Sequence, residues 1–405
     1  PCFCTEEELD KVRAKQEEDK VLTGYYGEYA TCRNLSYEEI EANIKAGKPY
    51  VLRLRSQGSP DKEITFVDAI KGEIKLPENI HDIDGIPTYH FAHAIDDHLM
   101  RTTTVVRGGE WLASAPIHYE LFHLLGFKMP AYAHTAHLMK FDEETGGKRK
   151  LSKRKDPELS LDYYRKDGYH PYTMKVYLLT LLNSNFEEWH EKFPDKDINE
   201  FPFSVEKMNQ SGALFDKDKL HNICKNELSK LSEEELYDFL YDWAKENEPE
   251  NVEKWFGDRE KMLQILRLYM GVGAKRRRKD LMYAKQIFEL ISYFFDGESA
   301  EEMDEFKLDE DMVSKILKSY LAKYDHNDDN SVWFNKLKEI ADEHGFASDM
   351  KAYKANPENF KGNVSDIAEA VRIAVTGRAN TPDLWTIVHI MGEEQMTERI
   401  KKHIK

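Results

Sequence analysis

The chain has 405 residues, of which 33% are charged and 40% hydrophobic, and its formal net charge is −17 at pH 7. This length exceeds one ordinary hydrophobic core, so we expect two to four globular domains. The net acidity argues against non-specific coating of nucleic acid, because phosphate binding needs Lys and Arg. A local basic surface can still bind a specific nucleic acid within an acidic whole.

The sequence carries neither a membrane span nor a secretion signal. Its longest strongly apolar run, Val176 to Leu182, is far shorter than the roughly 18 residues that a span needs. The N-terminus becomes polar and acidic within a few residues, unlike a signal peptide. Four cysteines are too few for a disulfide framework in a chain of this length. We therefore predict a cytoplasmic protein with no membrane partner.

Helix-start signals and alternating strands characterise residues 1–78. Capping boxes, in which a hydroxyl and a carboxylate stand three residues apart, occur at Thr5–Glu8 and Ser36–Glu39. Strand patterns follow at Val51–Arg55 and Ile64–Val67. This part of the chain is predicted to be a small α/β insert.

A helix–strand–helix pattern follows in residues 79–130. Apolar residues recur at helical spacing in Thr88–Met100, and a β-branched run covers Thr102–Val106. The next helix is predicted to begin at Pro116 and to end at Gly126. The order predicts half of a doubly wound sheet, and the other half is not found in the sequence.

Helical patterns replace strands after Asp156, so the predicted fold class is α/β at the front and all-α behind. The strongest patterns are Glu233–Lys245, Leu281–Phe295, Ser365–Val375 and Asp383–Met391. The last of these is predicted to be the last helix of the chain.

A basic loop comes just before this helical region. Lys148–Lys155 has six basic residues in eight and follows two glycines. One interpretation is a mobile loop that closes on a nucleoside triphosphate and neutralises charge as pyrophosphate leaves. The alternative is a solvated surface loop, and only the context of the loop decides between them.

Three cysteines near the N-terminus have the spacing of metal ligands. Cys2 and Cys4 are one residue apart and Cys32 follows, so three thiolates are available for a tetrahedral zinc ion. The fourth ligand stays open between Tyr26, Tyr29 and water, with Asn34 disfavoured. The alternative is three reduced, partly buried cysteines.

The context of the basic loop resembles the glutamyl-tRNA synthetases (glutamate–tRNA ligases), which are class I aminoacyl-tRNA synthetases. The likeness covers nearly the whole chain in the expected order, and its segments are Gly85–Ala92, Asp96–Met100, Val105–Trp111, Lys150–Arg154, Leu161–Tyr164, Gly168–Tyr169, Ser211–Asp216, Lys219–Leu220, Val371–Gly377 and Leu384–Gly392.

The resemblance implies a domain order. Residues 1–78 would be the connective insert that binds the tRNA acceptor end. Residues 79–130 would be the second half of the Rossmann-type catalytic domain. Residues 131–238 would form the stem-contact domain that carries the Lys-Leu-Ser-Lys-Arg loop, and residues 239–405 the helical anticodon-binding region.

The resemblance also implies site residues. Those matching the ATP-activating loop, with Lys153 expected to contact ATP, are Lys150, Ser152, Lys153 and Arg154. Glu110 and Trp111 match the nucleotide side of the amino-acid pocket. Tyr89 and Arg107 match the glutamate pocket, where the guanidinium would bind a carboxylate bidentately. His93 stands where the family usually has Asn, so details of amino-acid selection stay open. Without the context, Tyr89 is a half-buried helix aromatic and Arg107 a strand-end salt bridge.

The implied activity is ATP-dependent attachment of L-glutamate to tRNA(Glu) through glutamyl-adenylate, with Mg accompanying ATP and no DNA partner. The family's His-x-Gly-His element occurs nowhere in the sequence, which begins Pro1-Cys2-Phe3-Cys4. We interpret the chain as a fragment lacking that half of the Rossmann domain and expect it to be inactive alone. The alternatives are a non-catalytic tRNA-binding module, or glutamine as the substrate.

Two other patterns complete the predictions. The basic run that comprises Lys275, Arg276, Arg277, Arg278 and Lys279 is either a phosphate contact with the tRNA anticodon arm or a charged helix start or loop. The histidine pairs His90/His93 and His134/His137 lack a neighbouring carboxylate set in sequence, so structural or surface roles are expected. The acidic stretch Asp325–Asn330 is expected to cap the helix before Val332 rather than to bind calcium.

Overall fold

The structure is a computed structural model that describes residues 1–83, 88–142, 144–210, 212–295 and 303–405. The chain divides into two units. The first unit comprises Pro1–Leu151 and Leu178–Phe215, and the second comprises Ser152–Tyr177 and Asp216–Lys405.

The α-helices of the described residues are α1 (Glu6–Glu18), α2 (Tyr37–Lys45), α3 (Tyr89–Leu99), α4 (Ala115–Leu124), α5 (Leu161–Asp167), α6 (Pro171–Leu182), α7 (Phe186–Lys192), α8 (Lys217–Leu228), α9 (Glu233–Asn247), α10 (Val252–Phe256), α11 (Arg259–Met270), α12 (Ala284–Ile291), α13 (Glu310–Lys323), α14 (Asn330–His344), α15 (Met350–Ala355), α16 (Val364–Thr376), α17 (Leu384–Met391) and α18 (Glu393–Lys401). The strands are β1 (Glu63–Asp68), β2 (Gly72–Pro77), β3 (Thr104–Gly108), β4 (Ala131–Thr135), β5 (Leu138–Phe141), β6 (Lys148–Lys150) and β7 (Ala213–Leu214). None of these helices is long and apolar enough to cross a membrane.

A four-stranded sheet with the order β2-β1-β4-β3 organises the first unit. Strands β3 and β4 are parallel, and their register places Arg107 beside His134. Strand β1 meets β4 in parallel where Asp68 faces Tyr132. Because residues in register on adjacent strands point to the same face, the sheet brings side chains from distant parts of the sequence together. The predicted four-domain division stays a prediction, and this sheet draws strands from three of its parts.

Apolar faces of β1, β4, α3 and α4 pack to form the core around this sheet. Strand β1 alternates exposed and buried residues, as a half-buried strand should, with Ile64 and Phe66 facing inward. Leu121 and Phe122 of α4 pack with Ala94 of α3. Helices α3 and α4 and strand β3 confirm the predicted helix–strand–helix pattern.

A second, three-stranded sheet with the order β6-β5-β7 carries the start of the basic loop. Strands β5 and β6 form an antiparallel hairpin in which Met139 pairs with Lys150. On the other side of β5, Met139 pairs in parallel with Leu214. The two-residue strand β7 shows that strands do not stop entirely after Asp156, because β5 offers it a free edge.

Helices packed around one hydrophobic core make up the second unit. Fully buried core residues on five of these helices are Leu240, Leu266, Leu317, Ile340 and Val371. Helix α14 begins where predicted, because the carboxylate of Asp329 accepts a hydrogen bond of 2.9 Å from the backbone N–H of Val332. The all-α prediction for the rear of the chain is confirmed there.

Three local predictions are wrong. Val51–Arg55 is not a strand: Val51 makes one isolated bridge with Cys2 and Leu54 makes another with Ile83, and no described segment runs alongside both. The helix predicted from Leu281 begins at Ala284. Helix α17 is not the last helix, because α18 follows after one residue, Gly392, whose positive φ of 87° turns the chain.

Candidate active site

Arg107, near the end of β3, is the centre of a half-buried polar cluster in the first unit. Its Nε donates to Nε2 of His134 at 3.0 Å, and its Nη1 donates to Nδ1 of His118 at 3.0 Å. Nη2 makes a long contact of 3.5 Å with the carbonyl oxygen of Trp111. Among the described residues, no carboxylate oxygen lies within 4.0 Å of this guanidinium. The strand-end salt bridge, the alternative for Arg107, is therefore not seen among the described residues.

The histidines that contact Arg107 have partners of their own. Nδ1 of His134 lies 2.6 Å from Oδ2 of Asp68, and both side chains are fully buried. Nε2 of His118 lies 2.9 Å from Nδ1 of His90. We call the series Asp68, His134, Arg107, His118 and His90 the arginine–histidine chain. The carboxylate beside His134 comes from Asp68, 66 residues earlier in the sequence, where the local pattern around His134 does not show it.

Burial keeps the histidines of this chain neutral. It lowers the pKa of His118 to about 2, with further lowering by His93 and the positive charge of Arg107. Burial also lowers the pKa of His134, against the opposing effect of Asp68. The pKa of His90 is lowered by burial and by Arg107. Arg107 is thus the cation of the cluster at neutral pH.

Aromatic rings border the guanidinium. It lies over the ring of Tyr132, 4.5 Å from the ring centroid, and 5.9 Å from that of Trp111. The ring of Tyr89, the first residue of α3, is 4.8 Å from that of Trp111, and Tyr89 is 57% exposed. Its side chain is therefore available to a ligand rather than half-buried in the helix packing. The three predicted pocket residues Tyr89, Arg107 and Trp111 are brought together.

His93 is largely buried, with an exposed side-chain fraction of 11%, whereas Tyr89 is 57% exposed. Its Nδ1 lies 2.9 Å from Oδ2 of Asp97, and its Nε2 is 3.2 Å from the hydroxyl of Tyr132. Its ring stacks in parallel with that of Tyr89, at 6.1 Å. His93 therefore lies beneath Tyr89, with both ring nitrogens already engaged by protein groups. The preceding residues Gly85–Pro87, which carried part of the resemblance, lie outside the described residues, as does Ser211.

Glu110 and Trp111 lie in a 3-10 helix, Gly109–Ser114, that follows β3 directly. The carboxylate of Glu110 is 3.5 Å from Nζ of Lys150 on β6 and 3.4 Å from Nδ1 of His137. Its pKa is lowered by its own backbone N–H, and Lys150 and His137 lower it further. Lys150 therefore lies next to the predicted nucleotide side of the pocket within the first unit.

The rest of the predicted ATP loop belongs to the second unit. The backbone N–H of Ser152 donates to the buried carboxylate of Asp156 at 2.8 Å, and the N–H of Lys155 donates to the carbonyl oxygen of Ser152. These bonds hold a turn from which Lys153 and Arg154 extend into solvent. Their exposure fits both a solvated loop and a loop that receives a triphosphate.

The three N-terminal cysteines form a cluster in the first unit. Their sulfur atoms all lie within 4.8 Å of one another, and those of Cys4 and Cys32 are 3.5 Å apart. The hydroxyl of Tyr25 lies 3.3 Å from the sulfur of Cys2 and 3.6 Å from that of Cys4. Tyr25 was missed because the sequence offers several tyrosines nearby and does not indicate which one faces the thiols.

The tyrosines named as possible fourth ligands are engaged elsewhere. The hydroxyl of Tyr26 donates to the carbonyl oxygen of Leu22 at 2.6 Å, and that of Tyr29 donates to Asp19 at 2.8 Å. Both hydroxyls therefore point to groups other than the cysteine sulfur atoms. Asn34, already disfavoured, accepts a hydrogen bond from Arg55.

The basic run from Lys275 to Lys279 is an exposed loop between α11 and α12 of the second unit. Arg276 and Arg278 line a groove of about 740 Å³ that also includes Arg267 and the start of α17 at Asp383. A second cavity of about 340 Å³, lined by Arg278, Lys279, Arg378 and other residues, lies beside it. The run is thus a charged loop rather than a helix start, and two of its five basic residues line the open groove.

Comparison with known proteins assigns most of the chain to two sequence families. Residues 1–222 match the family described as "tRNA synthetases class I (E and Q), catalytic domain". Residues 235–404 match the family described as "Anticodon binding domain". A glutamate–tRNA ligase from Acetivibrio thermocellus is 51% identical over 99% of this chain and 74% of its own length. One from Clostridium perfringens is 46% identical over the whole chain and 74% of its own length.

The chain belongs to the glutamate–tRNA ligase family.

Solved structures of glutamate–tRNA ligases agree with this assignment. A ligase from Elizabethkingia meningosepticum, crystallised in complex with its amino acid, superposes with a TM-score of 0.71 at 25% identity, over 99% of this chain and 78% of that one. A synthetase from Elizabethkingia anophelis gives a TM-score of 0.69 at 25% identity, over 100% of this chain and 78% of that one. The predicted fold class, a class I catalytic domain followed by a helical anticodon domain, is confirmed.

The sequence patterns did not predict the residues that support Arg107 in this member of the ligase family. Asp68 and His118 carry no motif, and Asp68 stands at a strand end far from its partners in the sequence. The one available signal was the pair of β-branched strands, which fixes the register of Arg107 and His134 only when the order of the strands is known.

Proposed function

We propose that this protein activates L-glutamate with ATP and attaches it to tRNA(Glu). The observation that carries the proposal is the cationic, half-buried Arg107, whose protein partners are neutral, in a chain of the glutamate–tRNA ligase family. In this reaction a carboxylate oxygen of glutamate attacks the α-phosphorus of ATP, and pyrophosphate leaves. A ribose hydroxyl of the tRNA 3′ end then displaces AMP, forming the ester.

The environment of Arg107 favours a charged side chain on the amino acid. Two of its five guanidinium N–H groups point to histidine nitrogens and a third makes the long contact with Trp111, so two N–H groups stay available for a carboxylate. Glutamate would satisfy the unneutralised charge, whereas the neutral amide of glutamine would not. Tyr89 would border the ligand, and His93 beneath it would hold Tyr89 and Tyr132 in place.

On the nucleotide side we assign ATP contacts to Glu110, Trp111 and the basic loop. Lys150 beside Glu110 would neutralise phosphate charge as pyrophosphate leaves. Lys153 and Arg154 would do the same from the turn that Asp156 holds, and the hydroxyl of Ser152 would donate a hydrogen bond to a phosphate oxygen.

Magnesium accompanies ATP in such chemistry. Among the residues that the structure describes, only the three cysteines form a group of three or more candidate metal ligands. We therefore expect the magnesium ion to be held by nucleotide phosphates and water, with few protein ligands.

The tRNA would contact both units. We assign phosphate contacts of the anticodon arm to the loop Lys275–Lys279, because the loop is exposed and its Arg276 and Arg278 line an open groove in a domain of the anticodon-binding family. Residues 1–78 would hold the acceptor end and residues 131–238 the stem. The cytoplasm, predicted from the composition, is the location that accompanies this function.

Aminoacylation assays with the intact protein test which amino acid is attached to the tRNA. Purified tRNA, ATP and radiolabelled glutamate or glutamine should give charging with glutamate only. Arg107→Lys keeps the charge but loses the bidentate geometry, so the KM for glutamate should rise about tenfold or more. Arg13→Lys, on the exposed face of α1, is the matched control. Charging with glutamine but not glutamate overturns the proposal.

We further propose that Cys2, Cys4 and Cys32 bind one zinc ion, with the hydroxyl of Tyr25 or water as the fourth ligand. Three sulfur atoms and one oxygen at these distances fit a tetrahedral site. Such an ion would tie the N-terminus to the segment around Cys32. Elemental analysis of the purified chain should give one zinc per chain and should show its loss in Cys4→Ser, but not in Cys224→Ser, whose sulfur lies elsewhere. Zinc content that is unchanged by Cys4→Ser contradicts the assignment.

A further inference from the structure

The arginine–histidine chain shows how the guanidinium of Arg107 is held. We propose that His134 and His118 are positioning residues that orient Arg107 as neutral hydrogen-bond acceptors of opposite tautomer, and that Asp68 sets the tautomer of His134. This inference rests on the proposed role of Arg107 in binding the carboxylate of glutamate. It adds the residues that fix the plane of the guanidinium before the substrate arrives.

Strand register places the first half of the chain. Arg107 and His134 are partners on the parallel strands β3 and β4, and Asp68 ends β1 on the other side of β4. Oδ1 of Asp68 accepts hydrogen bonds from the backbone N–H groups of Ile70 at 3.0 Å and Lys71 at 2.8 Å. Its Oδ2 is thereby aimed at Nδ1 of His134, at 2.6 Å. The carboxylate cannot rotate away without losing those backbone bonds.

The partners determine the tautomers. A guanidinium only donates, so the nitrogen that faces it must be an unprotonated acceptor. His134 therefore carries its proton on Nδ1, which donates to Asp68, and accepts from Arg107 through Nε2. His118 accepts from Arg107 through Nδ1 and carries its proton on Nε2, which donates to His90. Each ring is fixed at both nitrogens.

Neutral acceptors suit a binding arginine better than carboxylates do. A carboxylate at either position would orient Arg107 but would also neutralise it and compete with the substrate carboxylate. The two buried imidazoles fix two N–H directions and leave the positive charge for the ligand. Asp68, the one carboxylate of the chain, is separated from Arg107 by the ring of His134.

Nuclear magnetic resonance of the chain labelled with ¹⁵N-histidine tests the tautomers directly. At pH 7 we expect His134 to be protonated at Nδ1 and His118 at Nε2, with both rings neutral. The variants His134→Gln and His118→Asn assign the two signals by removing one each. The same tautomer in both rings, or a doubly protonated ring in either, overturns the proposal.

Asp68→Asn tests the function of the arginine–histidine chain with a side chain of the same size. Because Oδ1 must keep accepting from the backbone N–H groups of Ile70 and Lys71, the amide NH₂ takes the place of Oδ2, faces Nδ1 of His134 and forces the proton to Nε2. The hydrogen bond of 3.1 Å that Oδ2 accepts from the backbone N–H of His134 is lost as well. Two N–H groups of His134 and Arg107 then oppose each other, an effect known for wrongly protonated catalytic histidines. With the intact protein, the KM for glutamate should rise about tenfold to a hundredfold, while the KM for ATP stays within about twofold. A rise of both KM values together, or of neither, contradicts a positioning role.

Rescue separates positioning from mere packing. His134→Gln places an amide oxygen where Nε2 accepts from Arg107, so its KM for glutamate should be well below that of His134→Leu. Equal KM values in the two variants overturn the inference. Should His134→Leu not fold, Asp68→Asn and the tautomers decide alone. His123→Asn, on the exposed side of α4, is the matched control. If Arg107→Lys leaves the KM for glutamate unchanged, the proposed function fails; if it raises the KM and Asp68→Asn does not, only this inference fails.

Discussion

His118 lies at the centre of a group of histidines in the first unit. Its ring centroid is 5.1 Å from that of His90 and 4.6 Å from that of His93, and its side chain is fully buried. Such crowding is stable only while the rings are neutral, because burial and the charge of Arg107 both oppose protonation. The stability of this unit must therefore depend on pH.

We expect acid to weaken the first unit through His118. The folded pKa of about 2 lies below the ordinary value of 6.5, so between these values the unfolded chain binds more protons and folding weakens as pH falls. From pH 7 to pH 5 this single group removes about 2 kcal/mol of unfolding free energy. Hydrogen exchange of β4 and α4 peptides, compared at the two pH values, measures it.

The His118→Asn variant provides the comparison for that experiment. It removes the titrating ring but keeps a polar group, so its unfolding free energy should fall by about 2 kcal/mol less between pH 7 and pH 5. Equal pH sensitivity in the variant and the parent protein would show that His118 titrates normally.

At the level of elements, the end of α5 shows how tightly the helices of the second unit pack. Gly168 ends α5 with φ of 78°, and its carbonyl oxygen accepts a hydrogen bond of 2.9 Å from the N–H of Ala284 at the start of α12. The indole N–H of Trp243 on α9 donates to the carbonyl oxygen of Arg165. Three helices therefore meet at a position with no room for a side chain.

Gly168→Ala should destabilise the second unit more than Gly273→Ala does. Both glycines have positive φ, so the backbone strain is shared. A Cβ at Gly168 would lie 2.4 Å from Cβ of Ala284 and 2.7 Å from Nε1 of Trp243, whereas at Gly273 it would meet nothing within 4 Å. We expect an extra cost of about 1–3 kcal/mol from overpacking, measured by urea unfolding of both variants followed by circular dichroism. Equal losses would mean that the helices separate at little cost.

For the molecule as a whole, the sequence predicted about half of the described α-helices and a catalytic domain followed by a helical anticodon domain, but little of the sheet geometry. Caps at Thr5, Ser36 and Asp329 are local signals, and the structure contains all three. Strand pairing is not local, so Val51–Arg55 has the pattern of a strand although it makes only isolated bridges to Cys2 and Ile83 in the described part of the chain. The pairing of β1 with β4, which delivers Asp68 to the site, left no trace in the sequence pattern.

The residues of the candidate site likewise divide into those that a sequence motif predicted and those that only the folded structure brings together. Arg107, Tyr89 and Trp111 were predicted from family motifs, and in the structure the two aromatic rings lie next to each other beside the guanidinium of Arg107. Their supports, Asp68 and His118, come from other elements and have no motif of their own. Likewise the three cysteines were visible as a spacing, whereas Tyr25 depended on how the segment before Cys32 folds.

The net charge of the whole molecule bears on how the affinity for tRNA depends on salt. A net charge of −17 repels a polyanion, so affinity must come from local basic surfaces such as the groove beside Lys275–Lys279. Each phosphate contact releases counterions, which makes the affinity fall with salt. In Arg276→Gln/Arg277→Gln we expect weaker binding and a log Kd against log salt slope that is shallower by about 1 per lost contact.

The matched control removes the same charge elsewhere in the second unit. Lys351→Gln/Lys354→Gln changes two exposed lysines of α15, outside the groove-lining residues, and alters the net charge equally. If the loop contacts phosphates, only the arginine variant changes the salt slope, in filter-binding or fluorescence titrations with tRNA from about 50 to 200 mM salt. Equal slope changes in both variants would mean that the loop acts only through the overall charge. The tRNA surface of this unit would then lie away from the groove.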